Sequence, residues 1–250
     1  MAAILTMEDV SKRFGALVVT DRLSMELIEG EALGVIGPNG AGKSTMFNLI
    51  AGGVRADRGK ITFLGRDITA LPPYARCRLG IGRSYQIPHA FPGMTVFENL
   101  LVGATFGDGK PEAEVHDRCI GILGYTGLLD QANRLAGSLT LLDRKRLEMA
   151  RALATNPRVL LLDEIAGGLT EHECHALIDT VRAVHATGIS IIWIEHVLHA
   201  LRAVVSRLIV INFGRKIEEG PPDSVMASPQ VREIYMGIAA ETAVAEAVHA

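Results

Sequence analysis

A chain of 250 residues is long for one simple domain and short for two independent ones, so one large domain, or a domain carrying an inserted subdomain, is expected. A hydrophobic content of 48% fills a core and argues against disorder, and a net charge of −3 gives no case for a basic face that binds nucleic acid. The cysteines, Cys77, Cys119 and Cys174, are scattered and odd in number, which fits neither a disulfide framework nor a zinc spacing and points to a reducing cytoplasm.

Residues 4–10 are expected to form a first strand, and Glu8 and Asp9 within it distinguish this stretch from a signal peptide. Gly15 marks a turn, and residues 22–29 alternate apolar and polar as a half-buried strand does. Residues 32–36 are continuously apolar, the pattern of a strand buried on both faces of a parallel sheet. A glycine-rich loop follows, then a helix over 43–51 with Met46, Phe47 and Ile50 on one face, then strand character over 59–67. From about 86 to 155 strand signals fade and helical ones dominate, so a helical subdomain is expected there, its clearest helix over 144–155. Beyond it come a buried strand at 159–163, a helix over 171–187, a strand at 189–195, a helix over 197–205 and a hairpin of 207–213 with 216–219. The domain is expected to end near 237, with an Ala-rich, loosely attached tail over 238–250. No apolar run approaches the roughly 18–20 residues that span a bilayer. Strands alternating with helices predict an α/β fold: a mostly parallel sheet with helices on both faces.

Gly37-Pro38-Asn39-Gly40-Ala41-Gly42-Lys43-Ser44 matches the phosphate-loop pattern in full, with an apolar strand before it and a helix after it. Glycines let successive backbone N–H groups face an anion, and the helix adds its positive end. Lys43 is expected to reach the β- and γ-phosphates of ATP, and the Ser44 hydroxyl to ligate Mg2+; Thr45 belongs to the same nucleotide-binding set. The strand at 159–163 ends in Asp163-Glu164, and ligands of parallel sheets sit beyond the carboxyl ends of strands. Asp163 is expected to hold Mg2+ through water, and Glu164 to act as general base on the attacking water. His196 closes the strand at 189–195, from which it can donate to the γ-phosphate. A rival cluster of His172, Cys174 and His175, with His196 and His199 nearby, fits no zinc spacing and reads as a solvated helix face.

With these motifs the sequence resembles the ATP-binding subunits of ABC transporters from residue 4 to about 237. Within that family it is most similar to the subunits of branched-chain amino acid importers, through Lys12-Arg13-Phe14-Gly15, Arg83-Ser84-Tyr85-Gln86, Phe91-Pro92-Gly93-Met94-Thr95-Val96-Phe97-Glu98-Asn99-Leu100, Ile194-Glu195-His196 and Val231-Arg232-Glu233-Ile234-Tyr235-Met236-Gly237. Urea-import and lipopolysaccharide-export ATPases look similar. The resemblance implies a P-loop ATPase core with an N-terminal antiparallel β portion and the inserted helical subdomain. It implies that Phe14 stacks on adenine, that Gln86 touches Mg2+ and the water and links the site to the helical subdomain, that His196 is the switch histidine, and that residues 166–170 cross a dimer interface. It further implies separate membrane permease subunits, a second ATP-binding subunit, an indirectly acting solute-binding protein, and a peripheral place on the cytoplasmic face of the plasma membrane.

Two departures stand out. Where the family has Leu-Ser-Gly-Gly-Gln this chain has Leu139-Thr140-Leu141-Leu142-Asp143, and Ile165 replaces the usual Pro after the acidic pair. Thr140 keeps a hydroxyl and is expected to contact the nucleotide bound to a partner chain, and Thr140 with Asp143 is expected to form a capping box. The first departure points to a heterodimer whose other member has an intact segment, with a homodimer as the alternative. A two-cassette ATPase of DNA repair or translation, or a weakly hydrolysing regulatory subunit, are the other classes these features leave open.

Overall fold

A computed structural model describes residues 2–234. The tail expected over 238–250, and the domain end near 237, lie outside the described residues.

Two long strands open the chain, β1 (Ala3–Phe14) and β2 (Leu17–Ile28), joined by a tight turn at Gly15 and paired antiparallel. β3 (Ala32–Ile36) leads through the glycine-rich loop into α1 (Lys43–Ala51). The strand expected over 59–67 is two strands, β4 (Arg58–Phe63) and β5 (Arg66–Asp67). Leu64 and Gly65, both at positive φ, fold the chain back between them, a hairpin turn that period-2 patterning does not reveal. α2 (Pro73–Leu79) and β6 (Ile81–Arg83) follow, and neither was legible: three residues of strand carry no period. Between β6 and the next strand lie only helices, α3 (Val96–Asp108), α4 (Glu112–Tyr125) and α5 (Leu141–Ala154), with short 3-10 turns. β7 (Val159–Asp163), α6 (Glu171–His185), β8 (Ser190–Ile194), α7 (Leu198–Val204), β9 (Arg207–Asn212), β10 (Arg215–Gly220) and α8 (Pro222–Ala227) follow, and residues 229–234 are helical.

The strands form two sheets. One is four-stranded and antiparallel, in the order β2-β1-β4-β5; the other has the order β10-β9-β3-β8-β7-β6 and is parallel except for its β9–β10 edge hairpin. Side chains alternate between the faces of a strand, so each central strand feeds two cores. Leu33, Val35, Leu161, Ile192, Ile194 and Ile209 face α1 and the antiparallel sheet. Leu160, Leu162, Ile191, Trp193 and Leu208 face α5, α6 and the remaining helices. Both faces are buried, which is why these strands read as continuous apolar runs rather than alternating ones.

α3 and α6 begin with complete capping boxes, Thr95 with Glu98 and Thr170 with Glu173. α5 has only half of the box expected for it. Thr140 accepts from the Asp143 N–H at 3.2 Å, but the Asp143 carboxylate accepts from the Thr140 hydroxyl rather than from its backbone N–H. Asp is one methylene shorter than the Glu that completes the other two boxes. The C-terminal end of α1 is held by Arg76, which is buried and donates to the carbonyls of Leu49, Ile50, Leu71 and Thr69. Burial lowers the Arg76 pKa to about 10, with Asp67 opposing the shift. A cation at a helix C-terminus is favoured by the helix dipole, and this one fixes the helix that carries the glycine-rich loop.

Candidate active site

The glycine-rich loop is packed against β2 and β9. A Cβ on Gly37 would lie 2.1 Å from the Ile211 carbonyl oxygen of β9, so no other residue fits there. Gly42 is the N-cap of α1 at φ 101, and a Cβ on it would meet the Val19 carbonyl of β2 at 2.5 Å. No side chain caps α1 and no acidic residue occupies its first turn, in contrast to α3 and α6. Its first N–H groups and its positive end are therefore directed at whatever the loop holds, the arrangement that binds phosphate. The cleft over it, about 180 Å³, is lined by Val19, Asn39, Gly40, Ala41, Gly42, Lys43, Ser44, Thr45 and Glu164.

Lys43 is buried, and its Nζ donates to the carbonyls of Gly37 at 2.7 Å and Pro38 at 3.0 Å. Burial pulls its pKa below the usual lysine value, and the carboxylates of Glu164 and Asp163 oppose that shift. Asp163 ends β7, paired with Ile194 of β8. Burial pushes the Asp163 carboxyl above the ordinary Asp value, opposed mainly by Arg83.

Glu164 follows at φ 47, a left-handed setting that costs a non-glycine residue energy. Its N–H donates to the Ile194 carbonyl at 2.9 Å, which extends the β7–β8 pairing by one bond and fixes the side chain beside the loop. Two residues distant in sequence meet it there. Gln86 donates from Nε2 to Glu164 Oε2 at 2.8 Å, and His196 Nε2 lies 2.7 Å from Glu164 Oε1. Ile165, in the place of the expected proline, keeps the turn after Glu164 and buries its side chain in the core.

The structure thus brings together the loop Gly37–Thr45, Glu164, Gln86 and His196, with Asp163 immediately before Glu164. It does not bring Phe14 or Thr140 to the cleft. Phe14 is 50% exposed, and its ring has the Lys12 ammonium 5.5 Å from its centroid. Leu17, Val18, Val19, Ala41, Phe213 and Ile234 are among the apolar side chains that line the adjoining cavity of about 520 Å³, along with Pro38 and Asn39. Thr140 starts α5 in the helical region. Among the described residues no group of three or more His, Cys, Asp and Glu side chains is arranged to hold a metal ion.

Sequence reasoning missed Arg83. It donates to Asp163 Oδ2 at 3.1 Å and to Asn48 Oδ1 at 2.7 Å, with the Tyr85 ring 5.0 Å from its guanidinium. An arginine on a strand that must be buried was the available signal, and β6 was too short to be read as one.

A family model described as ABC transporter matches residues 20–167, and one described as branched-chain amino acid ATP-binding cassette transporter matches residues 215–241. The high-affinity branched-chain amino acid transport ATP-binding protein LivG of Salmonella typhimurium is 36% identical over 94% of this chain and 98% of its own length. A probable branched-chain amino acid transport ATP-binding protein of Methanocaldococcus jannaschii is 34% identical over 94% of this chain and 97% of its own. Among solved structures, an ATP-binding cassette of an ABC transporter in its ADP conformation superposes with a TM-score of 0.87 at 33% identity, covering 95% of this chain and all of that one. With the fold, the phosphate loop and the full-length relatives in agreement, the chain belongs to the ABC transporter family, as one of its ATP-binding subunits.

Proposed function

We propose that this chain hydrolyses ATP with Mg2+ at the cleft over Gly37–Thr45 and uses the cycle to drive separate permease subunits of an importer for branched-chain or related amino acids. The observation that carries the reading is the convergence of Gln86, Glu164 and His196 on one hydrogen-bonded network beside an uncapped helix N-terminus.

The roles follow from the chemistry of each group. The loop N–H groups and Lys43 take the phosphates, with Lys43 exchanging its bonds to Gly37 and Pro38 for phosphate oxygens. The Ser44 hydroxyl, the Asp163 carboxylate and the Gln86 amide oxygen are hard oxygen donors of the kind Mg2+ takes, and such an ion neutralises charge on the β- and γ-phosphates. Glu164 accepts the proton of the attacking water, a contribution of about 10²–10⁴-fold. His196 holds Glu164 on one side and donates to the γ-phosphate on turning away from it. Phe14 and the cavity side chains Leu17, Val18 and Phe213 compete for the adenine, and the lining of the cavity favours the latter three.

Partners are supported by two surfaces. Tyr85, Ile87 and Phe91, next to Gln86, are exposed large apolar side chains, a patch suited to a permease. No helix among the described residues is long and apolar enough to cross a membrane; by likeness to the family, separate chains form the permease and this one sits on the cytoplasmic face of the membrane. A second ATP-binding subunit closes the site, and a heterodimer fits best because Leu141 is exposed at the segment where relatives in this family carry glycine. A solute-binding protein delivers the amino acid indirectly.

Reconstitution tests the reading. The chain is assembled with its permease subunits in vesicles with ATP on its own side, and uptake of labelled leucine, isoleucine and valine is measured. ATP-dependent uptake that Glu164→Gln abolishes is expected. A chain that joins no permease, or uptake indifferent to Glu164→Gln, contradicts it.

A further inference from the structure

Glu195 is 1% exposed, yet it carries a carboxylate. Oε1 accepts from the Ala166 N–H at 2.6 Å, and Oε2 accepts from the N–H groups of His196 at 2.9 Å and Val197 at 3.3 Å. Ala166 lies in the loop between Glu164 and α6, and His196 opens the segment after β8. One buried carboxylate therefore bolts the loop after Glu164 to the backbone of His196.

We infer that Glu195 is a positioning residue that makes the setting of His196 depend on the loop at Ala166, which is expected to meet the second ATP-binding chain. The inference rests on the proposed role of His196. Glu195 touches no reacting atom. Its effect runs through the backbone of His196, whose ring is 2.7 Å from Glu164. Movement of the loop when a partner closes is then transmitted to the histidine through a single carboxylate.

A carboxylate is required because all its partners are donors. Gln is isosteric but has one carbonyl oxygen, and its NH2 must face either the Ala166 N–H or the N–H pair of His196 and Val197. Either orientation breaks the link while the core keeps its shape.

The test is a double-mutant cycle on the purified chain with its partner subunit, reading kcat and ATP affinity separately. Bonds to a charged group are strong enough that Glu195→Gln should lower kcat about tenfold or more. ATP affinity should stay within about twofold, since the phosphate loop is untouched. Glu195→Gln added to His196→Ala should cost less than about twofold further, because groups acting as one unit are not additive. Wild-type kcat in Glu195→Gln, or a cost that adds in full to that of His196→Ala, overturns the inference and leaves the site reading standing. Wild-type turnover in His196→Ala removes the site reading and this inference with it. If Glu195→Gln does not fold, amide hydrogen exchange of the wild-type chain decides. The Ala166 and His196 amides should be protected together and respond together to ATP and the partner, and independent responses overturn the inference.

Discussion

Oε1 of Glu164 and Nε2 of His196 stand 2.7 Å apart at the ends of adjacent parallel strands, β7 and β8. The register that pairs Asp163 with Ile194 sets this distance, because it puts the next residue of β7 level with the chain leaving β8. A shift of one residue would turn Glu164 to the opposite face. The chemistry of the site thus depends on the packing of two apolar strands whose ten residues are all buried.

Lys43→Ala should remove ATP binding at this chain's own cleft. Lys43 is the ammonium within the loop, and its bonds to Gly37 and Pro38 also brace the loop before nucleotide arrives. Charge-assisted bonds are worth about 1.5–3 kcal/mol each, so losing two weakens affinity by about 10²-fold or more. Calorimetric titration with ATP checks this, and undiminished affinity counts against the assignment of the loop.

Arg207→Met should destabilise the fold in a pH-dependent way. Arg207 bonds Glu31 through Nε and Nη2 at 2.7 Å each, the Glu26 carbonyl and Glu219, and so locks the start of β9 to β2, β3 and β10. Burial raises the Glu219 pKa, but Lys216 and Arg207 outweigh it and the net shift is down. A carboxyl with a depressed folded pKa contributes stability above its unfolded value of about 4.5, lost as pH falls through the folded pKa. The substitution should therefore cost about 1–3 kcal/mol at pH 7, between an exposed and a buried pair. Urea denaturation should show that gap narrowing near pH 3, and a gap that widened there would refute the account.

Much of this was legible in the sequence, and the illegible remainder has a common cause. The phosphate loop, Asp163-Glu164 and the apolar strands are local signals, each complete within ten residues, and all lie where the pattern puts them. What was hidden depends on partners far along the chain. Arg83 meets Asp163 across 80 residues, and Arg76 meets Leu49 across 27. No local window contains either pair. The expected capping box at Thr140 failed on one methylene, which a pattern of residue classes does not resolve.

A chain with Leu139–Asp143 in place of the glycine-bearing segment should hydrolyse ATP slowly alone. Leu141 is exposed, and a Cβ on Gly168 would sit 3.5 Å from its Cδ2, so it lies beside the loop that approaches a partner. Asp143 is engaged by the Thr140 hydroxyl at 2.9 Å and by Arg146 at 3.5 Å, which leaves less of its charge to repel a phosphate than the bare sequence suggests. The bulk of Leu141 is then the main obstacle to close approach, since Leu142 packs against the helical core. Adding a partner subunit with an intact segment should raise the steady-state rate well beyond the sum of the two chains. Fast, cooperative hydrolysis by this chain alone would mean that Thr140 suffices.

Single-turnover hydrolysis by Glu164→Gln tests the central assignment most directly. Gln keeps the shape of Glu164 but takes no proton. ATP binding should survive, the ATP-bound dimer should accumulate on size exclusion, and the hydrolytic rate should fall by about 10²–10⁴-fold. A rate within a few-fold of wild type would show that Glu164 is not the base and that the network with Gln86 and His196 has another purpose.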